Sequence, residues 1–112
     1  MSELLPIHLL IVEDDEDDYF LLESSLKEIS FEKKITWAES YSKAIELIKS
    51  ETFDIILVDY RLGAHNGIEL VEFVNEYSPY TPTILLTGLK ETTIDQQALK
   101  YGVYDYLVKD QY

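Results

Sequence analysis

Five short apolar runs of strand length alternate along the chain with segments of helical periodicity, and this alternation constrains the fold most. The runs are IHLLIV at Ile7–Val12, KITWA at Lys34–Ala38, FDIILVD at Phe53–Asp59, TILLT at Thr83–Thr87 and YDYLV at Tyr104–Val108. The first run is continuously apolar rather than alternating, which is typical of a strand buried on both faces. Strands that alternate with helices predict an α/β fold: a parallel sheet with right-handed crossovers and helices on both faces.

Apolar residues at spacings of three and four predict four helices between the strands. Their buried faces are expected at Tyr19, Leu22, Leu26 and Ile29; at Ala44, Leu47 and Ile48; at Ile68, Val71 and Val74; and at Ile94, Ala98 and Tyr101. Ser40 is expected to cap the second helix, Thr92 to start the fourth and Gly102 to end it. The third helix should end before Ser78-Pro79, because the residue ahead of a proline is disfavoured in the helical region.

Length and composition limit the classes of function. A chain of 112 residues fits one domain with one core, so we expect a single domain over residues 1–112 and no output domain. The net charge of −13 argues against binding nucleic acid or an anionic membrane surface, and it favours a divalent cation or a basic partner. The chain has no cysteine, no signal-peptide pattern and no membrane-span pattern, so we expect a cytoplasmic location.

Polar residues stand at the ends of four of the predicted strands. They are Asp14 and Asp15 after the first strand, Asp59 closing the third, Thr87 closing the fourth and Lys109 after the fifth. Ligands of open parallel sheets bind beyond the carboxyl ends of the strands, so we expect these side chains to converge. Crowded carboxylates need raised pKa values or a cation, and Mg²⁺ prefers such hard oxygen ligands.

The acidic residues Glu13–Asp18 form one uninterrupted block, but we do not expect all six residues to have the same role. The residues Glu16, Asp17 and Asp18 are expected in the first turn of the first helix, where the helix dipole favours negative charge. The role of Glu13 stays open. His65 lies in the turn-rich loop Tyr60–Gly67, where we expect it to be exposed and assign it no role.

Each residue at the strand ends also has a purely structural interpretation. Asp14 and Asp15 could cap the first helix, and Asp59 could form a turn. Thr87 could be an ordinary strand residue and Lys109 an ordinary solvated lysine. All of these interpretations would have to hold together at one rim of the sheet, and we therefore favour a site.

Four motifs in order carry a family resemblance: VEDD, ILVDYRLGAHNG, ILLTG and YDYLVK. With them the chain resembles, over almost its whole length, the receiver domain of two-component response regulators. The resemblance implies a flavodoxin-like, doubly wound sheet of five parallel strands in the order 2-1-3-4-5. The family's fifth helix is expected to be lacking or truncated here. The loop after Asp59 and the ending YLVKDQ look similar to receivers attached to sensor kinases.

The resemblance implies that Asp59 is the phosphoacceptor. It would take a phosphoryl group from a histidine kinase or a histidine phosphotransfer protein. Asp15 and Asp59, with the backbone carbonyl of Arg61, would bind Mg²⁺ directly, and Asp14 would act directly or through water.

The resemblance also implies roles around the phosphoryl group. Lys109 would pair with one phosphoryl oxygen, and the Thr87 hydroxyl would move in to donate a hydrogen bond. Tyr106 would turn inward behind Thr87, and Gly88 would leave the phosphoryl group open to its donor. Two residues, Arg61 and Leu89, would tune the rate of hydrolysis.

The implied function is a phosphoprotein switch in phosphorelay signal transduction. It is not an enzyme beyond self-catalysed phosphoryl transfer and slow autodephosphorylation. Self-association through the fourth helix and fifth strand is also expected. A docking module that works without phosphate is the alternative, motivated by Asp110 where the family has a proline after Lys109. A Mg²⁺-dependent phosphohydrolase is disfavoured, since no second acid is evident to activate water.

Overall fold

The computed structural model of the chain describes residues 5–88 and 105–108. In chain order, the elements are β1 (Ile7–Val12), α1 (Glu16–Lys27), β2 (Lys33–Ala38), α2 (Tyr41–Ser50), β3 (Ile55–Asp59), β4 (Arg61–Leu62), β5 (His65–Asn66), α3 (Gly67–Tyr77), β6 (Thr83–Thr87) and β7 (Asp105–Val108). Within these residues, none of the helices has both the length and the apolar character needed to cross a membrane.

Five of the strands form one parallel sheet in the order β2-β1-β3-β6-β7. This order confirms the predicted α/β fold and the 2-1-3-4-5 arrangement. At the carboxyl rim, Val12 of β1 pairs with Ala38 of β2 and with Val58 of β3. The residues that follow Val12 and Val58 therefore emerge side by side.

The central strands β1, β3 and β6 are mostly buried on both faces, as the continuous apolar run of β1 predicts. Leu10 and Val12 pack on one face, in the apolar cluster that includes residues of α2 and α3. Leu9 and Ile11 pack on the other face, in the cluster that includes residues of α1. Successive side chains of a strand point to opposite faces, so β1 contributes to both layers of the core.

The faces of the three described helices agree with the predicted periodicity except at Ile29, with Leu26 and Leu47 half-buried against the core. Tyr19, Leu22, Ala44, Ile48, Ile68, Val71 and Val74 are buried. The helix α1 ends at Lys27, and Ile29 lies beyond it with 50% of its surface exposed. The chain turns there through hydrogen bonds from Ile29 N to Leu26 O and from Phe31 N to Ile29 O, and Phe31 packs against the core instead.

Two predicted strand starts need correction. The second strand begins at Lys33 rather than Lys34, because Ile7 pairs with Lys33. The third begins at Ile55 rather than Phe53, although Phe53 is buried beside it. Tyr104 and the predicted fourth helix, residues 92–102, lie outside the described residues.

The predicted loop Tyr60–Gly67 contains a small antiparallel hairpin. Its strands β4 and β5 pair Arg61 with Asn66 and Leu62 with His65. Leu62 is buried in the core and holds the hairpin against the domain. Strands of two residues show no periodicity in a sequence, which is why the pattern indicated only a loop.

Candidate functional site

Three carboxylates meet at the carboxyl rim of the sheet. One oxygen each of Glu13, Asp14 and Asp59 lies within 4.8 Å of the other two. Asp14 is exposed, whereas Glu13 is 1% and Asp59 4% exposed. Carboxylates this close repel one another, most strongly where burial removes the screening by water, so the cluster favours a bound cation.

Glu13 continues β1 by one residue. Its N–H donates to the carbonyl of Ala38 at 3.1 Å, and its own carbonyl accepts the indole N–H of Trp37 at 2.8 Å. Its carboxylate accepts the backbone N–H of Asp15 at 3.2 Å. Sequence reasoning left Glu13 without a role. Its position directly after the apolar run was the available signal.

Asp15 lies outside the carboxylate cluster, contrary to its predicted pairing with Asp14. It is the N-cap of α1, and its side chain accepts the backbone N–H of Asp18 at 3.0 Å. The physical reason is that the first N–H groups of a helix need acceptors, which the residue before the helix supplies. The expected first turn of acidic residues, Glu16–Asp18, is present.

The loop after Asp59 folds back over the cluster. Gly63, in the left-handed region with φ 62°, donates its N–H to Asp14 Oδ2 at 3.1 Å. The N–H of Arg61 donates to Asp59 Oδ1 at 3.3 Å. Backbone donors from one hairpin thus orient the carboxylate that follows β1 and the carboxylate that closes β3.

Gly67 allows α3 to begin directly against Asp59. Its N–H donates to the carbonyl of Tyr60 at 2.6 Å. A Cβ at this position would lie 2.6 Å from the Asp59 carbonyl oxygen and 2.9 Å from Leu85 Cδ1. A glycine is therefore required here for close approach of the two backbones.

Thr87 closes β6 beside the cluster. The preceding residue, Leu86, pairs with Asp59 across the ladder. The Thr87 hydroxyl is buried, and it has no hydrogen-bond partner among residues 5–88 and 105–108. A buried hydroxyl without a partner is costly, so this one suits an oxygen supplied by a ligand. Gly88 follows and is half-buried.

Three predicted site residues cannot be placed by their side chains. Lys109 and Leu89 lie outside the described residues. Tyr106 is in β7, where its backbone pairs with Leu85, and only that backbone is described. Their expected roles stay predictions.

His65 is exposed, as expected, but it makes two contacts that the sequence did not indicate. Its ring stacks on Tyr41 with centroids 4.2 Å apart, and Nδ1 lies 3.0 Å from Glu69 Oε2. The hydrogen bond from His65, aided by the backbone N–H of Asn66, lowers the pKa of Glu69. Asn66 and Glu69 also form the capping box of α3.

Burial raises the pKa of Tyr41, and the Glu69 carboxylate adds to that effect.

Curated proteins that match the chain include a response regulator and several transcriptional regulatory proteins. Response regulator protein PilR of Pseudomonas aeruginosa is 35% identical over 100 residues, which are 89% of this chain and 22% of PilR. Transcriptional regulatory protein ZraR of Escherichia coli K12 is 28% identical over 103 residues, or 92% of this chain and 23% of ZraR. The chain therefore spans less than a quarter of these relatives.

Solved structures agree with this result. The receiver domain of the Francisella response regulator 1452 superposes with a TM-score of 0.81 at 27% identity, covering 93% of this chain and 84% of that one. A Burkholderia pseudomallei response regulator with a phosphorylated aspartic acid, calcium ion and citrate gives a TM-score of 0.79 at 27% identity, covering 92% and 59%. A family model, the response regulator receiver domain, matches residues 9–111. With this match over nearly the whole chain, and a sheet of the order that the resemblance implied, the chain belongs to the response regulator receiver domain family.

Proposed function

We propose that the chain is a phosphorylation switch in which Asp59 accepts a phosphoryl group from the phosphohistidine of a histidine kinase or phosphotransfer protein. One observation carries the proposal: Asp59 closes a central strand with its carboxylate within 4.8 Å of those of Glu13 and Asp14. The phosphorylated aspartic acid in the Burkholderia pseudomallei relative supports the same chemistry here.

The carboxylate cluster fits Mg²⁺. Its donors are hard oxygens, two of them on nearly buried residues, which is the donor set that this ion selects. Asp14 and Asp59 would hold the ion together with the backbone carbonyl of Arg61. Glu13 takes the place that the sequence prediction gave to Asp15, whose carboxylate caps α1. A bound Mg²⁺ supplies charge neutralisation for the carboxylates and for the transferred phosphoryl oxygens.

The transfer itself needs a nucleophile and donors to the phosphoryl oxygens. A carboxylate oxygen of Asp59 forms the new bond to phosphorus while the bond from phosphorus to the donor imidazole nitrogen breaks. The electron pair of the broken bond stays on that nitrogen. The Thr87 hydroxyl, otherwise without a partner among the described residues, donates to one phosphoryl oxygen, and Lys109 pairs with another.

The remaining predicted residues act around this step. Gly88 has no side chain, so the donor can reach the phosphoryl group. Tyr106 follows the movement of Thr87 and signals the phosphorylated state. Slow attack of water on phosphorus breaks the bond from phosphorus to the Asp59 oxygen, which releases inorganic phosphate and restores the Asp59 carboxylate. Arg61 and Leu89 tune that rate. The proposed partners are the phosphodonor protein and a second copy of the chain, which would bind through the predicted fourth helix and β7.

Incubation with acetyl phosphate, followed by intact-mass measurement, tests the proposal. We expect the wild type to gain the mass of one phosphoryl group with Mg²⁺ present and none with a chelator. Asp59→Asn should gain none, because its amide is not a nucleophile for phosphorus. Equal labelling of Asp59→Asn would show that Asp59 is not the acceptor. A protein partner that binds wild type and Asp59→Ala equally, with or without Mg²⁺, would favour phosphate-independent docking.

A further inference from the structure

Trp37 lies on β2, outside the carboxylate cluster, yet its indole contacts the backbone of the cluster. The indole Nε1–H donates to the carbonyl oxygen of Glu13 at 2.8 Å. That carbonyl belongs to the peptide unit that joins Glu13 to Asp14. The N–H of Glu13 is held as well, since it donates to the carbonyl of Ala38 at 3.1 Å. Two consecutive residues of β2, Trp37 and Ala38, therefore hold both the carbonyl and the N–H of Glu13.

The indole of Trp37 is itself fixed in place. Its ring stacks on that of Tyr19 in α1, with centroids 4.1 Å apart and planes 5° from parallel. Tyr19 is buried, and its hydroxyl donates to Glu23 Oε2 at 3.1 Å. The indole N–H is thus presented by a stacked pair that joins β2 to α1, rather than by a freely rotating side chain.

We propose that Trp37 is a positioning residue for the metal and phosphoacceptor site. A peptide unit is planar, so fixing the carbonyl of Glu13 also fixes the N–H and Cα of Asp14. The indole N–H thereby sets the directions in which the carboxylates of Glu13 and Asp14 leave the backbone. This inference rests on the proposed function, and it extends the site to a strand that contributes no ligand. Partners that orient ligands in this way commonly control metal affinity.

Mg²⁺ affinity of the folded proteins, measured by calorimetry, tests the inference. We expect Trp37→Phe, which keeps an aromatic ring but loses the N–H, to bind Mg²⁺ about three- to tenfold more weakly, the range for one lost neutral hydrogen bond. Leu26→Ala is the matched control. Leu26 packs against the same apolar cluster as Trp37, and we expect its truncation to lower stability without changing Mg²⁺ affinity. Unchanged affinity in folded Trp37→Phe, or equal weakening in both variants, would overturn the inference.

Replacing Trp37 with benzothienylalanine separates the effect of the hydrogen bond from that of packing. This variant tests the positioning role of Trp37 even if Trp37→Phe does not fold. This residue has the bicyclic shape of tryptophan, with sulfur in place of the N–H. It should reproduce the weaker Mg²⁺ binding, and wild-type affinity would contradict the inference.

A readout in metal-free protein is independent of Mg²⁺ affinity. The Trp37 indole N–H should exchange with solvent more slowly than that of a free indole, and equally fast exchange would overturn the inference. If wild type binds no Mg²⁺, the proposed function itself fails. If wild type binds Mg²⁺ and both Trp37 variants bind equally well, only the positioning role fails.

Discussion

Asp14 and Asp15 are neighbours in the chain, but their carboxylates serve different parts of the molecule. Asp14 faces the hairpin after β3 and accepts the N–H of Gly63, whereas Asp15 turns to the first turn of α1 and accepts the N–H of Asp18. Helix α1 begins at Glu16, so Asp15 becomes its cap. Glu13 and Asp14, which precede the cap, lie at the rim of the sheet.

The division between these two residues predicts different outcomes for two substitutions. Asp15→Ser keeps a side-chain acceptor for the cap, so we expect nearly wild-type stability and unchanged Mg²⁺ affinity. Asp14→Asn removes one charge from the cluster, and we expect Mg²⁺ affinity to fall at least about tenfold. Calorimetric titration of both proteins measures the difference. A larger loss in Asp15→Ser than in Asp14→Asn would restore Asp15 as the ligand.

At the scale of elements, α3 is coupled to the hairpin that covers the site. The capping box joins Asn66 to Glu69, and Glu69 also accepts from His65 of β5. His65 in turn stacks on Tyr41 at the start of α2. One carboxylate therefore connects the hairpin, the start of α3 and, through the imidazole, the start of α2.

This connection predicts a pH dependence of stability. The folded pKa of Glu69 is lowered from its ordinary value of 4.5, so its contribution is present above that value and is lost as pH falls through the lower folded pKa. Glu69→Gln keeps the capping acceptor but not the charge. We expect denaturant titrations at pH values around and below 4.5 to show a shallower loss of stability for Glu69→Gln.

Glu72→Gln is the control for this measurement, because Glu72 is an exposed carboxylate on the same helix. The difference between the two variants below pH 4.5 separates the contact of Glu69 with His65 from the general effect of removing one carboxylate. The effect at Glu69 should be small, since its side chain and that of His65 are each 44% exposed and water screens the pair. Identical profiles for Glu69→Gln and wild type would contradict the prediction.

At the scale of the whole molecule, the net charge of −13 makes it unfavourable to bring three carboxylates together in one cluster. Their repulsion adds to that of the remaining surface and destabilises the metal-free fold. A cation that binds the folded state alone shifts the unfolding equilibrium by mass action. The global stability of the domain is therefore expected to depend on the occupancy of one local site.

Denaturant unfolding with and without Mg²⁺ checks this expectation. At a free Mg²⁺ concentration of about 100 times its dissociation constant, we expect the free energy of unfolding to rise by about 2.7 kcal/mol. Asp59→Asn should be more stable than wild type in chelator, because it removes one repelling charge, and it should respond much less to Mg²⁺. Sodium chloride at matched ionic strength controls for screening. An equal Mg²⁺ response in both proteins would place the ion elsewhere.

Much of this molecule follows from its sequence, and the exceptions have physical causes. The alternation of strands with helices predicted the parallel sheet. The continuous apolar run of β1, Ile7–Val12, predicted a strand that is buried on both faces. The sequence did not show that Glu13, and not Asp15, lies in the carboxylate cluster, because this depends on where one helix begins, to within a single residue. The contact between Trp37 and Glu13 joins residues 24 apart through a side chain, and no local pattern encodes such a contact.

Trp37 is the only tryptophan in the chain, and its indole N–H donates to the peptide carbonyl that joins Glu13 to Asp14. Its emission should therefore report on the Glu13–Asp14 backbone without any attached dye. We expect the fluorescence intensity to change in a saturable way as Mg²⁺ is added, with the midpoint that calorimetry gives, and Asp59→Asn to show little change. A flat titration of wild type would contradict this expectation. The protein thus carries its own optical probe, which would follow Mg²⁺ binding and phosphorylation in real time.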